Sequence, residues 1–247
     1  MKVFMLKGTS KTGKTTTAEA IIRELVRRGY SVGSVKDIHT DILLDTDSTD
    51  TDRHADSGAI QVTGRAERQT AVFHKGRLDI EKILDGYDTD YVLLEGDSGA
   101  NCPVILTGKT VEDLEFRWSD RAIAVSGIIS AEIDSYRSLP AINAMTNVEA
   151  LVDLIIAKTP ERMPNFPSGT CGGCGGDCRK LMERILKGEA SPTDCILQGE
   201  HCTVTVDGEE LNMMPFVEKI VKNVAIGAVR SLKGYKEDAE IVIRVTR

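Results

Sequence analysis

A strand-like run, KVFMLKG, leads into GTSKTGKTT, and the residues that follow, KTTTAEAIIRELVRRG, carry Ala18, Ile21, Ile22, Leu25 and Val26 at helical spacing. No other stretch limits the fold as much. Gly8, Gly13, Lys14 and Thr15 satisfy G-x-x-x-x-G-K-[ST], a loop that requires a strand before it and a helix after it. The helix closes at Gly29, and a second strand, YSVGSVKD, completes a βαβ opening. Downstream, AIQVTG, TAVFHKG, DYVLLEG and RAIAVSG are short apolar runs ended by glycine, while DIEKILDG and NVEALVDLIIAK read as helices. This alternation predicts an α/β fold: a P-loop NTPase-like, mostly parallel sheet flanked by helices.

Such a loop has a defined chemistry. Gly8, Thr9, Ser10, Lys11, Thr12, Gly13, Lys14, Thr15 and Thr16 would turn successive backbone N–H groups onto phosphate oxygens, with the positive end of the helix behind them. Lys14 would reach the β- and γ-phosphates, and Thr15 would offer its hydroxyl to Mg²⁺. A carboxylate at the end of another strand should complete the metal's shell. Glu95, ending DYVLLEG, is the first choice, and Asp37, ending the second strand, competes with it. No glutamine or arginine stands out as an aid to hydrolysis, so slow NTPase turnover is expected. No Asn-Lys-x-Asp motif reads guanine, which leaves GTP and ATP both open at this level.

Composition removes several classes of function. The 247 residues are 41% hydrophobic and 28% charged, ordinary for a globular protein, with a formal net charge of -7. No basic stripe interleaved with aromatics is present, so nucleic acid is not an expected partner. The N-terminal apolar run is too short for a signal peptide, and no stretch reaches a membrane-spanning length; a cytoplasmic protein without a membrane partner is expected.

A second motif lies far from the loop. Cys171, Cys174, Cys178 and Cys195 are spaced C-x2-C-x3-C-x16-C, a full ligand set for a [4Fe-4S] cluster or for Zn²⁺. Glycines at 172, 173, 175 and 176 favour iron, because they let the backbone wrap a bulky cube and turn amides toward its sulfurs. Cys202 is the alternative last ligand, against the spacing, and Cys102 reads as a partly buried thiol outside the set. In the intervening helix, Leu181, Met182, Ile185 and Leu186 would shield the metal from water. The expected division is a nucleotide-binding domain over 1–158, a proline-rich linker over 159–170, the cysteine module over 171–202 and a small α+β tail over 203–247. The tail reads as a hairpin turning at Asp207-Gly208, a helix from Pro215 to about Leu232 with an apolar stripe of Phe216, Ile220, Val224 and Val229 packed on the hairpin, and a last strand, EIVIRVT.

Four segments in order, GTSKTGKTT, SVGSVKDIHTD, DTDRHADSGA and DYVLLEG followed by Pro103, resemble the molybdopterin-guanine dinucleotide biosynthesis accessory protein family, MobB, over roughly residues 1–158. The resemblance implies a GTP-binding domain with Mg²⁺ near Asp37 and Glu95. It also implies that Lys36, His39, Arg53 and His54 face the nucleotide or a second anionic ligand such as the pterin cofactor. Its implied setting is a homodimer that assists a nucleotidyltransferase or delivers molybdopterin cofactor to a molybdenum or tungsten apoenzyme. The segment NCPVIL departs from the family pattern, having no basic residue beside its proline, and the acidic tract DTDSTDTD reads as a solvated loop. The stretch CGGCGGDCRKLMERILKGEASPTDC resembles the four-cysteine [4Fe-4S] domain of the electron-transport protein RnfB and of corrinoid iron-sulfur proteins, with one residue fewer between the second and third cysteines. The alternative function is a nucleotide-gated [4Fe-4S] electron-transfer protein; a third is a zinc-held interaction platform.

Overall fold

The computed structural model describes residues 1–247 except 47, 167–170, 172–173, 175, 196, 198–201, 207–208, 212, 214, 237–240 and 244–247. Gly172, Gly173 and Gly175, the expected turn at Asp207-Gly208 and most of the expected last strand therefore lie outside the described residues. Residues 241–243 of that strand are described and carry no strand. The chain divides into two compact units, Met1–Ala100 with Val104–Thr159, and Asn101–Pro103 with Pro160–Arg247.

In the first unit the order is β1 (Lys2–Gly8), α1 (Lys14–Arg27), β2 (Val32–Lys36), α2 (Asp50–Asp56), β3 (Gln61–Arg65), β4 (Thr70–His74), α3 (Ile80–Asp85), β5 (Tyr91–Glu95), β6 (Val104–Thr107), α4 (Val111–Phe116), β7 (Ala122–Ser126), β8 (Ser135–Tyr136), β9 (Leu139–Pro140) and α5 (Val148–Lys158). β2, β5, β1, β6 and β7 pair in that order as one parallel sheet. Its central strands are continuous apolar runs because both faces are covered: Phe4, Leu6, Val92, Leu94, Ile105 and Leu106 are all almost fully buried. The fold is the mostly parallel, helix-flanked α/β arrangement expected of a P-loop NTPase.

α1 buries Ala18, Ile21 and Leu25 along one face. On the same helix Glu24 is buried yet charged, since Arg27 and Arg28 each reach it at 2.6 Å. Arg28 then ties α1 to α5 through Asp153 at 2.5 Å. β3 and β4 differ from the expected sheet: they form a separate antiparallel hairpin. Their link turns tightly, with the Ala66 N–H on the Gln69 carbonyl at 2.9 Å, and so short a connection cannot make a parallel crossover. They alternate in burial where the central strands β5, β1 and β6 do not.

The second unit is built around α6 (Cys178–Lys187), β10 (Thr205–Val206), β11 (Glu209–Glu210) and α7 (Pro215–Arg230). Asp177 caps α6 by accepting the Lys180 N–H at 2.8 Å. Leu181 and Met182 bury against Met163 and Cys195, with Cys174, Ile185 and Leu186 packed around them. Met163 belongs to the proline-rich stretch, so part of that stretch has a fixed place in this core. The amide of Asn101 holds the Pro164 and Cys178 carbonyls at 2.9 and 3.0 Å. Among the described residues no helix is long and apolar enough to cross a membrane.

Candidate functional site

The loop after β1 leaves the sheet where the chain order reverses: β2 and β5 lie on one side of β1, and β6 and β7 on the other. Crevices at the carboxyl ends of parallel strands form at such points. Gly8 is required there sterically. A Cβ on it would stand 2.2 Å from Thr107 Oγ1 and 2.3 Å from the Thr107 carbonyl oxygen. With nothing in the way, the buried Thr12 and Thr107 hydroxyls meet at 2.9 Å, and Thr12 also donates to the Thr9 carbonyl at 3.0 Å. Thr9 donates to Asp113 Oδ1 at 2.7 Å, and the other oxygen of Asp113 accepts the Lys109 N–H at 2.9 Å. Asp113 also completes the capping box of α4 with Thr110. The loop is thus fixed from below by Thr107 and from the side by Asp113.

Gly13, at φ +90°, turns the loop into α1. No side chain caps that helix and no acid sits in its first turn, so the chain's own side chains leave its leading N–H groups and positive dipole end uncompensated. They line a cleft of about 930 Å³ together with Lys7, Lys36, Asp37, His39, Glu95, Asp97 and Arg117.

Lys14 folds back on the loop, its ammonium donating to the Gly8 carbonyl at 3.1 Å and to the Thr9 carbonyl. Burial lowers its pKa, Lys36 and Arg117 add to that, and Glu95 and Asp113 oppose it. Thr15 donates to Glu95 Oε1 at 2.7 Å. Lys36 Nζ reaches the same oxygen at 2.7 Å and Thr15 Oγ1 at 3.3 Å. Burial pushes the Glu95 carboxyl up, but the hydrogen bonds from Lys36 and Thr15, with the charges of Lys36 and Lys14, hold it below the ordinary glutamate value.

Of the residues singled out by sequence, Gly8, Thr9, Ser10, Lys11, Gly13, Lys14, Thr15, Thr16, Lys36, Asp37, His39 and Glu95 all line this cleft. Thr12 instead lies beneath it, fully buried. The two competing carboxylates have different neighbours: Glu95 is the one bonded to Thr15, while Asp37 pairs with Arg77 at 2.5 Å and has His39 at 3.6 Å. Arg53 and His54 are not brought into the cleft. They are exposed on α2, a helix with no buried residue, and Arg53 turns to Asp50 at 3.4 Å. Sequence reasoning missed Asp113 and Arg117. The spacing of Thr110 and Asp113 fits a capping box, a signal for a helix start at Thr110 that does not reveal the hold of Asp113 on Thr9, and Arg117 has no local signal.

In the second unit no cysteine is in a disulfide. Burial raises the Cys178 thiol, a hydrogen bond with the Phe166 backbone opposes this, and the nearby Cys195, Cys171 and Cys174 raise it further. Among the described residues, no three His, Cys, Asp or Glu side chains are gathered as a metal-ion site.

A family model for molybdopterin guanine dinucleotide synthesis protein B matches residues 3–129. A Methanocaldococcus jannaschii protein, provisionally designated a molybdopterin-guanine dinucleotide biosynthesis adapter protein, is 28% identical over 254 residues, spanning 99% of this chain and 97% of its own. Two solved structures of MobB from Bacillus subtilis, each 22% identical, cover 65% of this chain and 99% of theirs, with TM-scores of 0.55 and 0.52. The archaeal relative therefore extends over the cysteine-bearing part of the chain, whereas the Bacillus folds leave about a third of it unmatched.

Proposed function

The chain belongs to the molybdopterin guanine dinucleotide synthesis protein B family, and from that membership we propose that it binds GTP with Mg²⁺ in the cleft of its first unit and acts as an adapter in molybdopterin guanine dinucleotide biosynthesis. The observation that carries this reading is the uncapped N-terminus of α1 opening into a 930 Å³ cleft beside Lys14. Residues Gly8 to Thr16 would wrap the phosphates. Lys14 would leave the Gly8 and Thr9 carbonyls for the β- and γ-phosphate oxygens, so the loop's own acceptors hold the ammonium until phosphate replaces them. Thr15 and Glu95 would hold Mg²⁺, directly or through water. They fit such an ion: the two are 2.7 Å apart, and a cation, Lys36, already stands against them. Mg²⁺ on a nucleotide needs one or two side chains plus phosphates and water rather than a cage of carboxylates. When bound, the ion neutralises charge on the phosphate oxygens.

Arg117 is the arginine among the lining residues, and hydrolysis would be slow without a residue that positions water. The partners in this reading are the nucleotide, the pterin cofactor, a nucleotidyltransferase, a molybdenum or tungsten apoenzyme and a second copy of the chain. For the second unit we propose a [4Fe-4S] cluster on Cys171, Cys174, Cys178 and Cys195, with Zn²⁺ as the alternative. Support comes from the thiolate donor set, from the influence of Cys195, Cys171 and Cys174 on Cys178 and from the apolar packing of Cys174 and Cys195 against Leu181 and Met182.

The test is competition of GTP and ATP against a fluorescent GTP analogue. GTP should compete at least about tenfold better, and Lys14→Ala should abolish binding. Equal competition would overturn the guanine assignment, and binding indifferent to Lys14→Ala would overturn the site. Iron, sulfide and zinc analysis of protein purified without oxygen tests the second unit: about four irons per chain are expected, and one zinc would replace the cluster reading.

A further inference from the structure

In the cleft, one ammonium sits where charge is needed for another purpose. Lys36 ends β2, beside β5, in register with Glu95. Its Nζ is 2.7 Å from Glu95 Oε1 and 3.3 Å from Thr15 Oγ1, the two groups that the proposed function assigns to Mg²⁺. Thr15 and Glu95 are themselves in contact, so the three atoms form a closed triangle. The Glu95 side chain is only 11% exposed, whereas that of Lys36 is 57% exposed. The carboxylate is therefore fixed and the ammonium is the movable member.

Resting on the nucleotide reading above, we propose that Lys36 is a tethered cation that occupies the Mg²⁺ position of the free protein and is displaced when the ion arrives. Two cations cannot both take Glu95 Oε1 and the Thr15 hydroxyl at bonding distance, because their repulsion adds to the loss of the shared acceptor. Lys36 serves two purposes. Before the ion binds, it neutralises Glu95, which would otherwise repel an incoming polyphosphate, and it keeps Thr15 and Glu95 together. After displacement, its long side chain is free to meet an anion in the cleft that His39 and Arg117 also line. The nucleotide class this favours is one that can dock with or without its metal, since the protein supplies a positive charge of its own.

The experiment measures dissociation constants of a fluorescent GTP analogue for the full chain in excess Mg²⁺ and in EDTA. The wild type should show a small difference between the two conditions, because Lys36 substitutes in part for the ion. Lys36→Gln removes the substitute and the competitor together: binding in EDTA should weaken about three- to tenfold, and the Mg²⁺ concentration for half-saturation should fall by a similar factor. Lys36→Arg, which keeps the charge, should stay near the wild-type ratio, and Lys36→Met should match Lys36→Gln with the side-chain bulk preserved. An EDTA-to-Mg²⁺ ratio unchanged in Lys36→Gln and Lys36→Met, in protein that still binds the nucleotide, would overturn this proposal alone. A wild type that binds no nucleotide under either condition would overturn the nucleotide reading and this proposal with it.

Discussion

Replacing Gly8 with alanine tests how rigidly the loop is seated. The added Cβ would lie 2.2 Å from Thr107 Oγ1, 2.3 Å from the Thr107 carbonyl oxygen and 2.9 Å from Thr12 Oγ1. A normal contact needs the ends of β1 and β6 to part by about 1 Å. They are ladder partners at Gly8 and Thr107, and Thr107 is fully buried, so neither can move without breaking sheet bonds. Overpacking of this kind costs about 1–3 kcal/mol, and the backbone carbonyl in the clash puts this site at the upper end. For a chain of this length that is a fall in midpoint of about 6–12 °C. Thermal unfolding should be followed by fluorescence of Trp118, the sole tryptophan, which lies in the first unit. Gly86→Ala is the control: its φ is -84°, its nearest contact is a carbonyl oxygen at 3.4 Å, and it should shift the midpoint by no more than about 2 °C. Equal midpoints for the two variants would refute the claim that Thr107 fixes the loop.

Three further outcomes follow from named contacts. Glu24 is held down to about 2, first by the hydrogen bond from Arg27 and then by that from Arg28, against an ordinary value of 4.5. Its folded pKa is depressed, so its contribution is present above pH 4.5 and is lost as pH falls toward 2; Glu24→Gln should flatten that limb of a pH–stability curve, and an unchanged limb would refute the assignment. Asp113→Ala removes both the Thr9 anchor and its own half of the α4 capping box, leaving the Thr110 cap: a loss of about 0.5–2 kcal/mol in denaturant unfolding together with weaker nucleotide binding is expected, and stability loss without a binding change would refute its role in seating the loop for nucleotide. Asn101→Ala releases two carbonyls in the second unit, which should cost about 1–3 kcal/mol and appear as faster amide exchange in α6; unchanged exchange there would contradict the clamp.

The sheet was legible where burial on both faces left continuous apolar runs, as in YVLLE, and where the loop motif fixed what came before and after it. The β3–β4 hairpin was misplaced because AIQVTG and TAVFHKG, ended by glycine, resemble buried strands; their polar alternation was the clue to a separate, half-exposed ladder. In the cleft, residues carried by the motif were readable because backbone conformation dictates them. Asp113 and Arg117 were not, since Asp113 bonds Thr9 from about a hundred residues away and Arg117 joins the cleft lining from a similar distance, neither encoded in a local pattern. Arg53 and His54 were singled out by the family resemblance, but α2 leaves them on a solvated surface.

Amide hydrogen exchange of the full chain, with and without Mg²⁺ and GTP, tests the central claim most directly. Slowed exchange is predicted in peptides covering Gly8 to Thr16, where backbone N–H groups would bind phosphate, and at the ends of β2 and β5 around Lys36 and Glu95, with α2 unchanged. No slowing across Gly8 to Thr16, or slowing confined to α2 and the β3–β4 hairpin, would contradict it.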